Sequence, residues 1–430
     1  MPTRPLARTT TATRALATCA LVLTLLGTTT AFAQHDPRPP AFPTATAIAT
    51  AIATDTADPA SPAASPVAGG TLAVGDLRTL SVEGQPMAIS PDGKWVAGPG
   101  PDRDFCIWDV ATLKPQCASD RKPMPVQLET VTWAPDSSAV AFSLDAARLL
   151  VDSDVYVMDV DGTLHDLTDD GDNDEVSLAQ DAAEVPVDMY PAWSPDSSQL
   201  AFARTTWGGD DRSTALYTIG REGGEPDQRL VVSPQEPFVT YSPLHWLDDG
   251  TIVFSVLHAD PENRQNGVWR LTGSGGVERI IAGDETAEIP TPFVNDVSPD
   301  GRWATVFSLS VANQFPSDTP AYFIVDLTTG EIYPVAVANP APGAWIVSAG
   351  TFLPDGNSLL SVELSENRPL LVRSGLDGSA LASVDLPENT GGPASYRGLS
   401  VADDGTVFMP TLATEEGSKR GGILFTVEQP

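Results

Sequence analysis

The chain has 430 residues, of which 57 are Asp or Glu and 24 are Lys or Arg, so its formal net charge at pH 7 is −33. A surface this acidic repels phosphate backbones and anionic lipids, which argues against nucleic acid as a partner and favours cations or basic ligands. The plainer interpretation, that acidity only keeps an exported protein in solution, stays open.

The N-terminal 33 residues have the pattern of a secretory signal peptide. Three arginines and no acidic residue lie in the first 14 positions, an apolar stretch follows at Ala15–Leu26, and small residues end at Ala31-Phe32-Ala33. We therefore expect cleavage after Ala33 and a secreted or extracytoplasmic protein. Cys19 raises the alternative of a lipoprotein, although Thr18 is a poor residue before a lipidated cysteine. No later stretch has the roughly 18 unbroken apolar residues of a membrane helix, so stable membrane insertion is not expected.

Residues 34–68 are rich in Ala, Thr, Pro and Ser and almost free of aromatic residues. Such a segment cannot bury enough apolar surface to offset the entropy cost of ordering, which predicts a disordered linker. Residues 69–430 are then expected to form the folded domain.

A short pattern recurs seven times in residues 69–430: a turn built on Pro-Asp-Gly or a close variant, followed by a β-rich run. The turns are Pro91-Asp92-Gly93, Pro135-Asp136-Ser137, Pro195-Asp196-Ser197, Asp248-Asp249-Gly250, Pro299-Asp300-Gly301, Pro354-Asp355-Gly356 and Asp403-Asp404-Gly405. They recur roughly every 50 residues, and a unit of that size with four short strands is typical of a propeller blade. Proline presets φ, aspartate bonds the local backbone and glycine accepts positive φ, so each turn joins two antiparallel strands.

We name the four strands of each unit a to d, from the channel outward. The turn joins strand a to strand b, and a second apolar run after every turn is expected to form strand c. These runs are Phe105–Val110, Val155–Val160, Leu216–Ile219, Val268–Leu271, Tyr322–Leu327, Leu370–Val372 and Ile423–Val427. Asp-Gly or Gly-Gly signals follow most of them and precede strand d. The sequence therefore predicts an all-β fold, a seven-bladed β-propeller.

The last unit lacks an outer strand of its own, because only Glu428-Gln429-Pro430 follow its strand c. Asp76–Ser81 matches Thr163–Thr168, which covers the predicted strand d of blade two. We therefore expect residues 72–81 to complete blade seven with an N-terminal strand and so close the ring, which protects strand edges.

The best copy of the repeat lies in blade three, where Tyr190-Pro191-Ala192-Trp193-Ser194-Pro195-Asp196 precedes Leu200-Ala201-Phe202. This pattern resembles the TolB-like, WD40-like propeller repeat of the Trp-Ser-Pro-Asp-Gly type, which also occurs in the propeller of prolyl oligopeptidases. The resemblance covers residues 70–430, although the turns of blades four and seven lack the proline. It implies the fold and says little about activity, because such propellers serve as binding scaffolds, as subunits and as gates of attached enzymes.

No catalytic constellation stands out in the sequence. It lacks the Gly-x-Ser-x-Gly motif that a prolyl oligopeptidase-like hydrolase needs. Of its four histidines, only His165, His245 and His258 lie in the predicted domain, which is few for acid–base or metal chemistry. We therefore expect a protein without enzymatic activity.

The acidic connection Thr168–Asp188 between blades two and three carries a metal-like spacing. Its acids repeat the first, third, fifth and twelfth ligand positions of a calcium loop, at Asp170, Asp172, Asp174 and Asp181. Glu175 stands at the sixth position, where that loop requires glycine. Calcium is thus an alternative to an ordinary solvated loop, and no other cofactor is expected.

Cys106 and Cys117 flank a predicted hairpin turn centred between Ala111 and Thr112. The hairpin places the two cysteines directly opposite each other, at a Cα separation within the disulfide range. An exported protein keeps such a bridge oxidised, so we expect a disulfide, with two buried free thiols as the alternative.

A propeller has two faces. The d–a connections and b–c loops emerge on one, here called the loop face, and the a–b turns and c–d hairpins on the other, here called the turn face. Most of the extra length of this chain falls on the loop face, which we predict to be the binding face. The residues expected at its channel rim are Glu129, Asp188, Tyr190, Tyr241, Trp345, Tyr396 and Arg397, together with Trp207, which interrupts the repeat register. They suit a basic peptide, a cationic ligand or a sugar, and the alternative is that they are simply exposed.

These observations predict a secreted, non-catalytic binding or scaffold protein that recognises a protein, peptide or envelope polysaccharide at its loop-rich channel face. A metal-dependent lyase or hydrolase with its site in the channel is the alternative, and it needs clustered histidine and acidic ligands from several blades. A structural subunit that uses the turn face as an interface is the third possibility.

Overall fold

Each Pro-Asp-Gly-type turn connects two antiparallel strands, as the repeat predicts. A computed structural model describes residues 70–101, 104–118, 126–144, 153–169, 186–206, 213–234, 239–241, 243–258, 262–284, 286–308, 321–338, 345–346, 350–365, 368–387, 398–411 and 421–427. The predicted signal peptide (1–33) and linker (34–68) lie outside the described residues and stay predictions. The described residues belong to one compact unit, residues 64–430.

The strands form seven sheets, which are the blades. The first two strands in the chain, β1 (Gly70–Thr71) and β2 (Val74–Ser81), belong to the last two blades. Blade one contains β3 (Ala88–Ile89), β4 (Trp95–Pro99), β5 (Phe105–Asp109) and β6 (Pro115–Cys117). Blade two contains β7 (Thr132–Trp133), β8 (Ala139–Ser143), β9 (Val155–Asp159) and β10 (Leu164–Asp166). Blade three contains β11 (Val187–Trp193), β12 (Gln199–Thr206), β13 (Ser213–Gly220) and β14 (Asp227–Pro234).

In blades four and six the innermost strand is split in two. Blade four contains β15 (Val239–Tyr241), β16 (His245–Trp246), β17 (Ile252–His258), β18 (Gly267–Leu271) and β19 (Val277–Ala282). Blade five contains β20 (Pro292–Val297), β21 (Trp303–Ser308), β22 (Tyr322–Asp326) and β23 (Ile332–Pro334). Blade six contains β24 (Trp345–Ile346), β25 (Thr351–Phe352), β26 (Ser358–Ser365), β27 (Arg368–Gly375) and β28 (Ala380–Asp385). Blade seven contains β29 (Ser400–Val401), β30 (Thr406–Thr411) and β31 (Gly421–Val427), with β2 outside them.

The predicted closure of the ring is confirmed. Strand β2 pairs antiparallel with β31, so that Leu80 lies opposite Gly422. Strand β1 adds a contact that the sequence did not predict, because it pairs in parallel with β28 and places Gly70 opposite Ala382. The N-terminal segment of the domain therefore joins two blades, the last by a full strand and the sixth by a short one.

The third residue of every repeat turn has positive φ, as the turn chemistry predicts. Five turns use glycine there, and two use serine, Ser137 at φ 61° and Ser197 at φ 59°. Positive φ is costly for a residue with a Cβ, by about 1 kcal/mol. The two serines must therefore contribute something that glycine cannot.

The hydrophobic core lies between neighbouring blades. Between blades one and two, the rings of Phe105 and Phe142 stack with centroids 3.8 Å apart. Two tryptophans that end the innermost strands of blades two and three make the same contact. The Trp133 indole N–H donates to the Ala88 carbonyl, and the Trp193 indole N–H donates to the Thr132 carbonyl, both at 3.2 Å. Each of these rings thus packs its blade against the innermost strand of the preceding blade.

Helical structure in the described ranges consists of one 3-10 turn, Leu128–Thr130, in the connection from blade one to blade two. None of the described helical structure is long and apolar enough to span a bilayer.

Candidate binding site in the central channel

The innermost strands of the seven blades surround a central channel that holds two cavities. The first, of about 360 Å³, is lined by blades one, two, five, six and seven. The second, of about 410 Å³, is lined by blades two to five. They share lining residues on blades two and five, among them Trp133 and Pro299, so they are contiguous. Turn prolines such as Pro91 and Pro354 also line the first cavity, so this cavity extends to the turn face.

The channel wall presents apolar and polar surface in similar amounts, and the Asp, Glu, Lys and Arg side chains among its described lining residues are all acidic. The apolar lining residues of the first cavity include Met87, Ile89, Val131, Trp133, Phe352 and Leu399. The acidic residues that line the two cavities are Asp248, Asp249, Asp296, Asp300 and Asp403, and no lysine or arginine is among the described lining residues. Apolar side chains beside carboxylates suit a ligand with a cationic head and an apolar stem.

Two of these carboxylates are not required by the turns that carry them. Asp248 and Asp403 occupy the position that proline holds in the other turns, both are exposed, and within the described part of the chain no hydrogen bond holds either carboxylate. Their neighbours do perform turn chemistry, since Asp249 accepts from the Thr251 amide and Asp404 from the Thr406 amide, both at 2.8 Å. Asp248 and Asp403 therefore add negative charge at the channel mouth without a local structural role.

Hydrogen bonds keep the turn carboxylates of other blades ionised. The Ser198 and Ser194 hydroxyls and the Ser198 amide lower the pKa of Asp196 below its ordinary value of 3.8. At Asp136 burial acts in the opposite direction, but the Ser138 hydrogen bonds and the nearby Arg221 outweigh it and lower the pKa. The carboxylates of Asp196 and Asp136 therefore stay ionised to lower pH than an ordinary aspartate.

Asn295 is a buried polar residue of the channel wall. It is 3% exposed, and its Nδ2 donates to the Gly350 carbonyl at 2.9 Å. Its Oδ1 is buried and has no hydrogen-bond partner among the described residues. The adjacent Asp296 is fixed in place, because its Oδ1 accepts from the Val297 amide and its Oδ2 from the Phe352 amide. Asn295 Oδ1 is therefore an unsatisfied acceptor in the described part of the wall.

The structure places Asp188 on the innermost strand of blade three, as predicted, but buries it. Its side chain is 2% exposed, and its oxygens accept from Arg204 Nε at 2.7 Å and Nη2 at 2.6 Å. Arg204 in turn lies over the rings of Phe202 and Tyr217. Removing one partner of such a pair leaves a buried charge uncompensated, which gives Asp188 a structural role. Ligand contact by Asp188 stays a prediction.

Tyr190 and Glu129 lie near the loop-face end of the channel. Tyr190 is 7% exposed, has φ 58° within the bulge of β11, and accepts a hydrogen bond from Gln127 Nε2 at 3.3 Å. Glu129 is half-buried in the 3-10 turn, next to Leu128, which lines the first cavity. A positive φ at an aromatic residue is strained and is held by its surroundings. Both residues are thus ordered parts of the channel end, and their role in binding stays a prediction.

The remaining predicted rim residues are only partly placed. Tyr241 lies in β15 and Trp345 in β24, both on innermost strands, and their role at the channel rim stays a prediction. Trp207, Tyr396 and Arg397 lie outside the described residues, as do the predicted calcium ligands Asp170, Asp172, Asp174 and Asp181.

The predicted disulfide is confirmed, because Cys106 and Cys117 lie opposite each other on β5 and β6 and are bonded.

The residues present do not fit the channel metal that the lyase alternative needs. His245 is the one histidine among the described lining residues. Within the described ranges, the acidic, histidine and cysteine side chains close enough to share an ion are those of Asp104 and the two disulfide cysteines, far from the channel wall strands.

No protein-family model and no characterised protein sequence matches this chain. Among solved structures, it is similar to the oligogalacturonate lyase of Vibrio parahaemolyticus, with a TM-score of 0.54 and 14% identity over 85% of this chain and 99% of that one. It is also similar to an oligogalacturonate lyase in complex with manganese, with a TM-score of 0.52 and 13% identity over 84% and 99%. TolB from Acinetobacter baumannii matches with a TM-score of 0.41 and 17% identity over 67% of this chain and 60% of TolB.

The chain is a seven-bladed β-propeller. The sheet topology confirms the fold that the TolB-like resemblance implied. The WD40-like character of the repeat stays a prediction, and identities of this size concern the fold alone.

Sequence reasoning missed Asp248 and Asp403 as site residues. The turn pattern was correctly interpreted as a strand connection, and the same interpretation gave every turn aspartate a structural role. The usable signal was the Asp-Asp pair in the turns of blades four and seven, where a second carboxylate replaces the proline. A carboxylate that replaces a residue favoured by the turn costs local rigidity, so its presence points to a role outside the turn.

Proposed function

We propose that this protein is a non-catalytic, extracytoplasmic binding protein that takes a basic segment of a partner protein or peptide at the turn-face mouth of its channel. The observation that supports this most is the combination of apolar lining side chains with the carboxylates of Asp248 and Asp403, which their turns do not need. The proposal moves the site from the loop face, where the long connections suggested it, to the opposite end of the channel.

The chemistry of the mouth matches a lysine or arginine side chain. The aliphatic stem of such a residue packs against apolar surface while its charged head stays near carboxylates. Tryptophan rings such as Trp133 and Trp246, which line the second cavity, add a favourable surface for a cation. The net charge of −33 also attracts basic partners over longer distances and raises their rate of encounter.

The disulfide between Cys106 and Cys117 supports an extracytoplasmic location, because such bonds persist in oxidising compartments. This agrees with the signal peptide predicted for residues 1–33.

Binding of a fluorescently labelled hexalysine peptide to the full chain, followed by anisotropy, tests the proposal. We expect the double substitution Asp248→Asn, Asp403→Asn to weaken binding by about tenfold, which corresponds to about 1.4 kcal/mol. Raising the salt concentration should weaken binding to the unsubstituted chain as well, because exposed charges are screened.

The matched control is Glu222→Gln, Glu225→Gln on the exposed c–d hairpin of blade three, which removes the same charge from the same face at a distance from the channel. It should leave the affinity nearly unchanged. If both double variants weaken binding equally, the peptide senses only the overall charge and the channel mouth is not the site. If a hexaglutamate peptide binds as well as hexalysine, the proposed ligand class is wrong.

Metal-dependent lyase or hydrolase chemistry in the channel is the competing function, and only the fold likeness to the two lyases favours it. The described channel wall supplies a single histidine, His245. Incubation of the full chain with oligogalacturonate and Mn²⁺, followed by ultraviolet detection of unsaturated products, distinguishes the two functions. We expect no turnover, and turnover that is lost in the His245→Ala variant would replace the binding proposal.

A further inference from the structure

The disulfide of blade one has a third chemical group beside it. Asp104 directly precedes β5, and its carboxylate reaches the sulfur atoms of Cys106 and Cys117. A carboxylate oxygen of Asp104 and the two Sγ atoms all lie within 4.8 Å of one another. Two cysteines and one aspartate at this spacing form a set that could share one metal ion.

One oxygen of the Asp104 carboxylate has no hydrogen-bond partner in the described part of the oxidised protein. This oxygen, Oδ1, is buried. A disulfide carries no hydrogen to donate, so the bonded cysteines cannot satisfy this oxygen. Burying an unpaired carboxylate oxygen is costly, by about 1–3 kcal/mol or more. A carboxylate kept in that position is better explained by a partner that the oxidised state does not hold.

The local backbone leaves room for these three groups. Gly100 directly follows β4, in the connection from strand b to strand c of blade one. Its amide donates a hydrogen bond to the Asp104 carbonyl at 2.8 Å. A Cβ at Gly100 would collide with Asp104 Oδ1 and with Cys106 Sγ. The absence of a side chain at Gly100 is therefore what lets the carboxylate and the sulfurs meet.

The strands that carry the cysteines have support that does not depend on the disulfide. Strand β5 lies between β4 and β6, and its Phe105, Ile107 and Trp108 are fully buried. The ladder between β5 and β6 also pairs Ile107 with Gln116 and Trp108 with Pro115. Cys106 is buried, whereas Cys117, on the outermost strand, is partly exposed and open to attack by a thiolate.

We propose that reduction of this disulfide converts it into a binding site for a thiophilic divalent cation such as Zn²⁺. A dithiol reductant gives two electrons to the Cys106–Cys117 bond and becomes a disulfide itself, and its two protons end on the two protein thiols. Zn²⁺ then displaces both protons and binds the two thiolates and the Asp104 carboxylate, with water as the fourth ligand. The oxidised protein has no free thiolate to offer, so the disulfide state controls metal binding.

The ligand set selects the ion. Two thiolates favour soft or borderline cations over Ca²⁺ and Mg²⁺, which prefer oxygen ligands only. This site is therefore distinct from the acidic surface, whose carboxylates attract hard cations without selectivity.

The test compares oxidised full-length protein with protein reduced by a phosphine and freed of reductant under anaerobic conditions. Cd²⁺ serves as a spectroscopic probe, because thiolate coordination gives a ligand-to-metal absorption band in the ultraviolet. We expect the reduced chain to bind one Cd²⁺ with this band and the oxidised chain to show none. Zn²⁺ should displace the Cd²⁺, and an excess of Ca²⁺ should not.

Two variants identify the ligands. Asp104→Asn keeps the disulfide and the shape of the side chain, and it should weaken binding to the reduced chain by at least about tenfold. Asp161→Asn, on an exposed hairpin of blade two, is the matched control and should leave the affinity unchanged. Cys117→Ser should abolish the absorption band, with circular dichroism as the check that the sheet structure persists.

Metal bound equally by the oxidised and reduced chains would contradict the proposal, since the acidic surface would then be the binder. A thiolate band that is unchanged in Asp104→Asn would also overturn it, because the aspartate would not be a ligand. Loss of sheet structure on reduction alone would show that the disulfide is purely a structural bond.

Discussion

Neighbouring blades of this propeller share a hydrophobic core, and two different kinds of contact add to it at different junctions. At the junctions of blades one, two and three, a turn serine accepts a hydrogen bond from the backbone of the preceding turn: Ser137 Oγ from the Asp92 amide at 3.0 Å and Ser197 Oγ from the Asp136 amide at 3.1 Å. At the end of the ring, β2 supplies blade seven with a complete strand from the far end of the domain. Blades that follow each other along the chain need only a local contact to fix their orientation. The ends of the ring have to offset the entropy of closing the longest loop in the domain, and a full strand ladder anchored by the buried Leu80 does so.

The largest effect is expected where the closing strand meets the core. Leu80 on β2 is 2% exposed and packs against residues of blades one and seven, including Trp108 and Phe408. Leu80→Ala should reduce the free energy of unfolding by about 3 kcal/mol, from lost apolar burial and the cavity left behind. Urea denaturation followed by tryptophan fluorescence measures it.

Leu77 is the matched control for this prediction. It lies on the same strand but is 40% exposed, so Leu77→Ala should change stability by less than about 0.5 kcal/mol. If Leu80→Ala reduces the free energy of unfolding as little as Leu77→Ala does, β2 contributes through its backbone hydrogen bonds and not through the buried Leu80 side chain.

Substitutions of the turn serines should reduce stability by a smaller amount, and the order of the alanine and glycine variants is informative. Ser197→Ala removes the hydrogen bond to Asp136 but keeps a Cβ at positive φ, so it should cost about 1 kcal/mol. Ser197→Gly removes the same bond and relieves about 1 kcal/mol of backbone strain, so its stability should lie close to that of the unsubstituted chain. Thermal melts of the two variants give the order directly.

Ser137 repeats the arrangement of Ser197 one blade earlier and should show the same order. If the glycine variants are as unstable as the alanine variants, relief of the positive φ gains nothing, and the backbone strain at these serines is negligible. If Ser→Ala has no effect at either position, the bond between turns is only a contact and the comparison of the two kinds of junction fails.

The fold was predictable because each copy of the repeat contains residue types that favour a specific turn. Residue types at the turns set the strand connections, and the recurrence of the turns set the number of blades. Closure by residues 72–81 was predictable because Asp76–Ser81 resembles an outer strand and the last unit lacks one. The parallel pairing of Gly70–Thr71 with β28 was not, because two residues have no periodicity and the contact depends on where the preceding chain passes.

Some local features could not be inferred from pattern at all. His258 ends β17 and is 7% exposed, and the Asn266 side chain accepts its backbone N–H at 2.7 Å, a contact that the residue pattern does not predict. The burial of Asp188 depends on Arg204, which lies on the adjacent strand, directly opposite Asp188. Such pairs depend on the register between strands and on side-chain packing, and neither can be inferred from a single sequence.

The smallest predicted effect tests whether a serine junction can be installed where the chain has none. At Gly356 φ is 67°, and an added Cβ would lie 3.7 Å from Pro299 Cδ, an ordinary contact, so the turn has room for a side chain. Ser137 bonds the amide of the residue after Pro91, and a serine at Gly356 would by the same geometry face the amide of Asp300, the residue after Pro299. Gly356→Ala should cost about 1 kcal/mol of strain, whereas Gly356→Ser should recover about 0.5–1 kcal/mol of it through the new bond.

Gly301 is the contrasting position, because a Cβ there would lie 3.1 Å from Leu247 Cδ1. Neither Gly301→Ser nor Gly301→Ala should therefore be tolerated as well as the same substitution at Gly356. Equal thermal stability of Gly356→Ser and Gly356→Ala would show that the serine bond depends on features of blades one to three beyond the turn itself.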